Sequence, residues 1–165
     1  MDWLPGLITL KDYNGNFASY IDAVYRIFRC DFILNQPVFR GKPCCCDARP
    51  DSDGRECGFW HIVTSGDVES ERRPDLRRCE RVAWPRAIIE AAHMPLVRVW
   101  ESERKRQGKG RQNRVNLAPS DFSYLVVLKS TKTTFVLITA FFLEHDHQRR
   151  KKQRECEDFE SAQNS

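Results

Sequence analysis

The chain has 165 residues, with 27 Lys/Arg against 23 Asp/Glu, a formal net charge of +4 and seven cysteines. That length supports one domain with a substantial core, and its longest apolar run, Phe135 to Leu143 interrupted by Thr139, is too short for a membrane-spanning helix. Met1-Asp-Trp-Leu-Pro-Gly6 lacks the basic start and apolar stretch of a secretion signal, and an odd number of cysteines cannot all pair within one chain. The expectation is therefore a cytoplasmic protein with free thiols and no membrane association.

Asn16 to Phe28 reads as an amphipathic helix. Phe17, Tyr20, Ile21, Val24, Ile27 and Phe28 recur at three- and four-residue spacing, and Asn14 or Asn16 can cap it. After Pro37, Val38-Phe39-Arg40-Gly41 reads as a short strand, and residues 47–57 as a polar loop. The aromatic and β-branched run Phe59 to Thr64 predicts a strand, with His61 sharing a face with Phe59 and Val63. Residues 66–73 read as loop. Pro74 opens a short helical turn, and Trp84-Pro85 opens a helix through Ala92 that Pro95 ends.

Leu96 to Glu101 and Arg114 to Leu117 are predicted strands around a charged hairpin tip, Glu103 to Arg111. Tyr124 to Lys129 and Thr134 to Phe142 are almost continuously apolar, which predicts central strands joined by the short link Ser130 to Thr133. His147 to Phe159 reads as a final charged helix and residues 160–165 as a frayed tail. The order predicts an α+β fold: an N-terminal helix or helices packed on a four- to five-stranded, mainly antiparallel sheet, then a C-terminal helix. All of residues 1–165 are read as one domain, with a core over about 13–159.

Charge is concentrated in the middle. Residues 72–114 hold 13 basic against 5 acidic side chains, a net of +8, whereas residues 1–71 net −4 and residues 115–165 balance. Such clustering suits a polyanion, with nucleic acid the leading candidate, or else a solvated arginine-rich surface. Arg73, Arg77 and Arg81 are spaced by four, so on one helix they would share a face, with Arg78 at its flank. Guanidinium forks suit phosphate oxygens, although Asp75 and Glu80 offer ion pairs. Arg104, Lys105, Arg106, Lys109 and Arg111 on the hairpin tip, and Arg149, Arg150 and Lys152 on the last helix, are further candidates for backbone phosphates.

His61 is either a hydrogen-bonded core residue or a proton carrier active near neutral pH. Thr139, a lone hydroxyl in an apolar strand, either bonds locally or projects into a site. Cys44-Cys45-Cys46 with Cys57 and His61 could suggest zinc, but three consecutive cysteines of an extended chain cannot all face one ion, and no Cys-x-x-Cys spacing occurs. The expectation is no metal and no cofactor.

The runs Phe59-Trp-His-Ile-Val63, Arg73-Pro-Asp-Leu-Arg-Arg-Cys-Glu-Arg81, Trp84-Pro85, Tyr124-Leu-Val-Val-Leu128 and Ile138-Thr-Ala-Phe141 resemble phage-related proteins of the barnase–EndoU–colicin–RelE-like nuclease superfamily. The resemblance covers roughly residues 13–159. It implies helices packed on an antiparallel sheet and a metal-independent ribonuclease, in many members a toxin. It also implies roles for His61 as the site histidine, Arg73 and Arg77 as its basic partners, Thr139 as a late-strand hydroxyl, and Arg149 as a following basic residue. Relatives often carry a tyrosine where this chain has Thr-Ala-Phe141.

The expected function is endoribonuclease: cleavage of RNA by 2′-OH attack to a 2′,3′-cyclic phosphate, with His61, Arg73, Arg77 and Thr139 as the catalytic set. A toxin would need an antitoxin or immunity protein presenting acidic side chains. The alternative is a non-catalytic nucleic-acid-binding module of phage or mobile-element origin, with His61 in the core.

Overall fold

The computed structural model describes residues 2–66, 71–106 and 110–165, with Arg106 through its backbone only. The Gly108 turn of the predicted hairpin tip, Lys109 and the Arg106 side chain therefore lie outside the described residues. Helix α1, Phe17–Arg29, forms where the periodicity places it. Asn16 Oδ1 accepts from Ser19 N at 3.0 Å, and Tyr20, Ile21, Val24 and Phe28 are buried. Strands β1 (Val38–Phe39) and β2 (Lys42–Cys45) make a tight hairpin through Arg40 and Gly41, both at positive φ (48° and 76°), the geometry a two-residue turn demands. Cysteines 44 and 45 thus lie in a strand that the sequence left unassigned.

Phe59 to Val63, predicted as strand, are helical, and only Thr64 of that run is extended. Helix α2 spans Cys57–Val63. In so short a run both periods fit the apolar residues: alternation pairs Phe59 with Val63, while helical spacing puts Phe59, Ile62 and Val63 on one face. Tertiary packing selects the second arrangement. All three are buried, Phe59 packing against Tyr25 and Phe28 of α1 at ring-centroid distances of 5.1 and 5.5 Å. The N-terminal end of α2 is clamped on the preceding chain, with Gly58 N donating to Asp47 O (2.9 Å) and Cys57 N to Arg49 O (2.7 Å). Only glycine permits this approach, because a Cβ at position 58 would lie 2.8 Å from Cys46 Cβ and 2.9 Å from Asp47 N.

Two-residue strands β3 (Thr64–Ser65) and β4 (Arg73–Pro74) pair antiparallel, followed by α3 (Leu76–Glu80) and α4 (Trp84–Glu90), the latter with proline in its first turn. The long strands are β5 (Val97–Arg106), β6 (Gly110–Pro119), β7 (Tyr124–Ser130) and β8 (Phe135–Phe142), and α5 (Asp146–Gln163) closes the chain. Mixed helix and sheet with a C-terminal helix agree with the expected class. The sheet differs: it has six strands in the order β1-β2-β8-β7-β6-β5, with β2 parallel to β8. Residues 160–163 continue α5 instead of fraying, because Glu160 holds Arg98 of β5.

Cross-strand partners share a face of a sheet. One face carries Val115, Leu117, Val126, Leu128, Leu137 and Ala140, packed under α1, α2 and α4 as the main core. The opposite face carries Trp100, Ala118, Leu125 and Val127, which meet Cys156 and Phe159 of α5. This helix covers only one end of that face. The sheet curls far enough for Arg40, in the turn at one edge, to reach Glu101 on the strand at the other (2.7 Å). No helix among the described residues is long and apolar enough to cross a membrane.

Candidate functional site

The uncovered end of the second face is polar. Register aligns Ser102, Arg114, Lys129 and Val136 across β5, β6, β7 and β8, and the next row sets Arg104 opposite Gln112. These side chains point away from the main core, because every second residue of a strand does. Beyond Cys46 the chain leaves the β8 edge, and α2 packs there instead. Between that helix, the residue 46–49 segment and the sheet lies an open cavity of about 530 Å³, lined by His61, Asp47, Arg49, Gln112, Arg114 and Lys129, with Val136, Leu137 and Ile138 as part of its wall.

The polar groups around the cavity are fixed by one another. Asp47 binds Arg49 through contacts that include Nε to Oδ1 at 2.9 Å, Nη2 to Oδ2 at 2.6 Å and the backbone N to Oδ1 at 3.2 Å, and these hold its carboxyl below the usual range. Gln112 Oε1 accepts from Arg114 at 3.3 Å. His61, half-buried on α2, has its Nδ1 2.9 Å from Nη1 of Arg72. Among the described lining residues, Arg114, Lys129 and Arg49 set three formal positive charges against the Asp47 carboxylate, a field suited to an anion. Cys46 at the rim is a poor nucleophile, since burial pushes its thiol up to about 12.

His61 is the one residue of the expected catalytic set that lines this cavity. Arg73 lies in β4, exposed and opposite Ser65, so it shares no helical face with Arg77 and Arg81. Asp75 starts α3 by accepting from Arg77 N and Arg78 N, which leaves Arg73 outside the helix. Arg77 pairs with Glu144. Arg78 lies over Phe141 at 5.2 Å, and burial lowers its pKa. Arg81 sits between Trp84 and Phe142 at 5.1 and 4.7 Å and donates to Arg77 O. Arg77 and Arg78 line a separate hollow of about 120 Å³ together with Asp75 and Glu144, whose carboxylates offset their charge.

Thr139 stands opposite Val127, on the sheet face that bears Arg114 but outside the cavity lining. Arg104 and Lys105 are exposed on β5, and Arg111 pairs with Glu103 at 3.1 Å. On α5, Arg149 donates to Leu143 O and stacks on Phe142, and Lys152 binds Glu155 at 2.8 Å. Arg150 is exposed, in a shallow concavity of about 380 Å³ with His147, Lys151 and Arg154. Among the described residues, no three His, Cys, Asp or Glu side chains gather as a metal site.

Sequence reasoning missed Arg72, Gln112, Arg114 and Lys129. A signal for one of them existed: Arg114, with Asn116, alternates with Val115 and Leu117, the pattern of a strand with one polar face. Comparison with protein-family models, with curated proteins and with solved structures finds no match to the chain.

Proposed function

We propose that this cavity binds an RNA phosphodiester and cleaves it without a metal ion, as a variant of the barnase–EndoU–colicin–RelE-like nuclease fold. The observation that carries the reading is that one imidazole lines the same open cavity of about 530 Å³ as Arg114 and Lys129. In the reaction the ribose 2′-oxygen bonds to phosphorus while the P–O5′ bond breaks. The 2′-OH gives up its proton, the departing 5′-oxygen gains one, and a 2′,3′-cyclic phosphate remains. The nucleophile belongs to the substrate, so the protein needs to orient it and to stabilise the charge that builds on the phosphoryl oxygens. Arg114 and Lys129 supply that charge, and His61 hydrogen-bonds a reacting oxygen. DNA, which lacks the 2′-OH, is bound but not cut.

Incubation of the purified protein with RNA and with DNA in EDTA tests this. The expected result is RNA fragments ending in cyclic phosphate and intact DNA. Salt-sensitive binding of both polymers without cleavage selects the second reading, a nucleic-acid-binding module, which the same cations favour. If the activity is toxic, an acidic antitoxin or immunity protein covering this cavity is the partner to seek.

A further inference from the structure

His61 has two ring nitrogens, and one is already engaged. A guanidinium carries only donors and stays charged, so at 2.9 Å from Arg72 Nη1 the Nδ1 atom must provide the lone pair. A neutral imidazole that accepts at Nδ1 carries its hydrogen on Nε2. Forming imidazolium would place a second N–H on Nδ1, facing the Arg72 donor beside a fixed positive charge. The contact and the doubly protonated ring exclude each other.

Arg72 is held in place for this contact. The chain runs from α2 directly into β3 and returns through β4, where Arg73 pairs with Ser65 and Asp75 N donates to Val63 O at 2.8 Å. Arg72 packs against Gly66, whose φ of 138° suits glycine alone; a Cβ there would lie 3.4 Å from the Arg72 Cα and Cγ atoms. Its Nε is buried and has no hydrogen-bond partner among the described residues, which leaves the outer guanidinium nitrogens to reach the imidazole.

We propose that Arg72 is a positioning residue that holds His61 as its Nε2–H tautomer, making the imidazole a neutral hydrogen-bond donor to an anionic oxygen in the cavity and not a proton carrier. That the oxygen belongs to an RNA phosphodiester rests on the function proposed above; the state of the ring does not. Proton transfers in cleavage then run through water, and the side chains contribute charge and orientation.

Two measurements separate these claims. In 15N-labelled protein at neutral pH, His61 shows hydrogen on Nε2 and an unprotonated Nδ1, whose nitrogen resonance moves when Arg72→Leu removes the donor. A protonated Nδ1, or a resonance unmoved in R72L, overturns the positioning role. In RNA cleavage, H61A loses about 100-fold, while H61Q, which replaces one neutral donor by another, stays within about tenfold of the native protein. Equal loss in both variants overturns the donor role. If the native protein does not cut RNA at all, the ribonuclease reading fails by itself, and RNA affinity of H61Q against H61A reads the donor role instead, with equal weakening again overturning it.

Discussion

The two ends of β8 each gather cations, and they use them differently. Near Phe141 and Phe142, Arg78, Arg81 and Arg149 lie over aromatic rings, and Arg77 pairs with Glu144. Near Val136, Arg114 and Lys129 border a cavity shared with His61. The first end holds the denser cluster in sequence; the second holds the charge that faces open space. A cation's neighbours, and not its count, decide whether it can meet a ligand. Rings and carboxylates turn guanidinium groups into structural elements, whereas an open polar sheet face sets cations beside space that an anion can enter.

The largest effects should come from the cavity. Arg114→Ala and Lys129→Ala each lower RNA cleavage by about 100-fold, and K129A also flattens the salt dependence of RNA binding by about one phosphate contact. Retained activity in both would move the site elsewhere. Next in size, Arg81→Ala destabilises the fold by about 1–2 kcal/mol, since its head lies against two rings and bonds a backbone carbonyl, while RNA affinity of the folded protein is unchanged; urea unfolding and binding titrations separate the two.

Asp47→Asn removes the one carboxylate that lines the cavity among the described residues and tightens RNA binding several-fold. Its effect on stability has a definite sign. Arg49 holds the folded pKa below the unfolded value, so the contribution is present above about pH 4 and is lost as pH falls through the lower folded value. Denaturation curves for D47N and the native protein therefore converge in acid. The smallest effect belongs to Arg77→Ala: an exposed pair with Glu144, screened by solvent, contributes little to stability, and cleavage stays within about twofold. A large loss of cleavage in R77A would reverse the assignment of the two ends.

Much of the fold was legible in single elements. The helical spacing from Phe17 to Phe28, Pro85 in the first turn of α4 and the apolar runs of β7 and β8 each carry their own periodicity, which tertiary contacts reinforce. The run around His61 did not, because seven residues satisfy two periods and the choice falls to the clamp of Gly58 on Asp47. The strand of Cys44 and Cys45 was equally hidden, since its pairing partners, Phe135 and Val136, lie far along the chain.

The candidate site divides the same way. His61 could be singled out as an imidazole beside a basic block, and Arg114 carried the alternation of a two-faced strand. Its guanidinium partner could not be chosen from the five arginines between positions 72 and 81 by spacing, because β4 begins at Arg73 and puts Arg72, its predecessor, against the ring. The amino-acid order by itself determined an α+β chain with a positive middle and one prominent histidine, because propensity and charge are local properties. Which cations that histidine meets was decided only by strand register and by the packing of α2 at the β8 edge, because residues from positions 47 to 129 become neighbours only when the sheet forms.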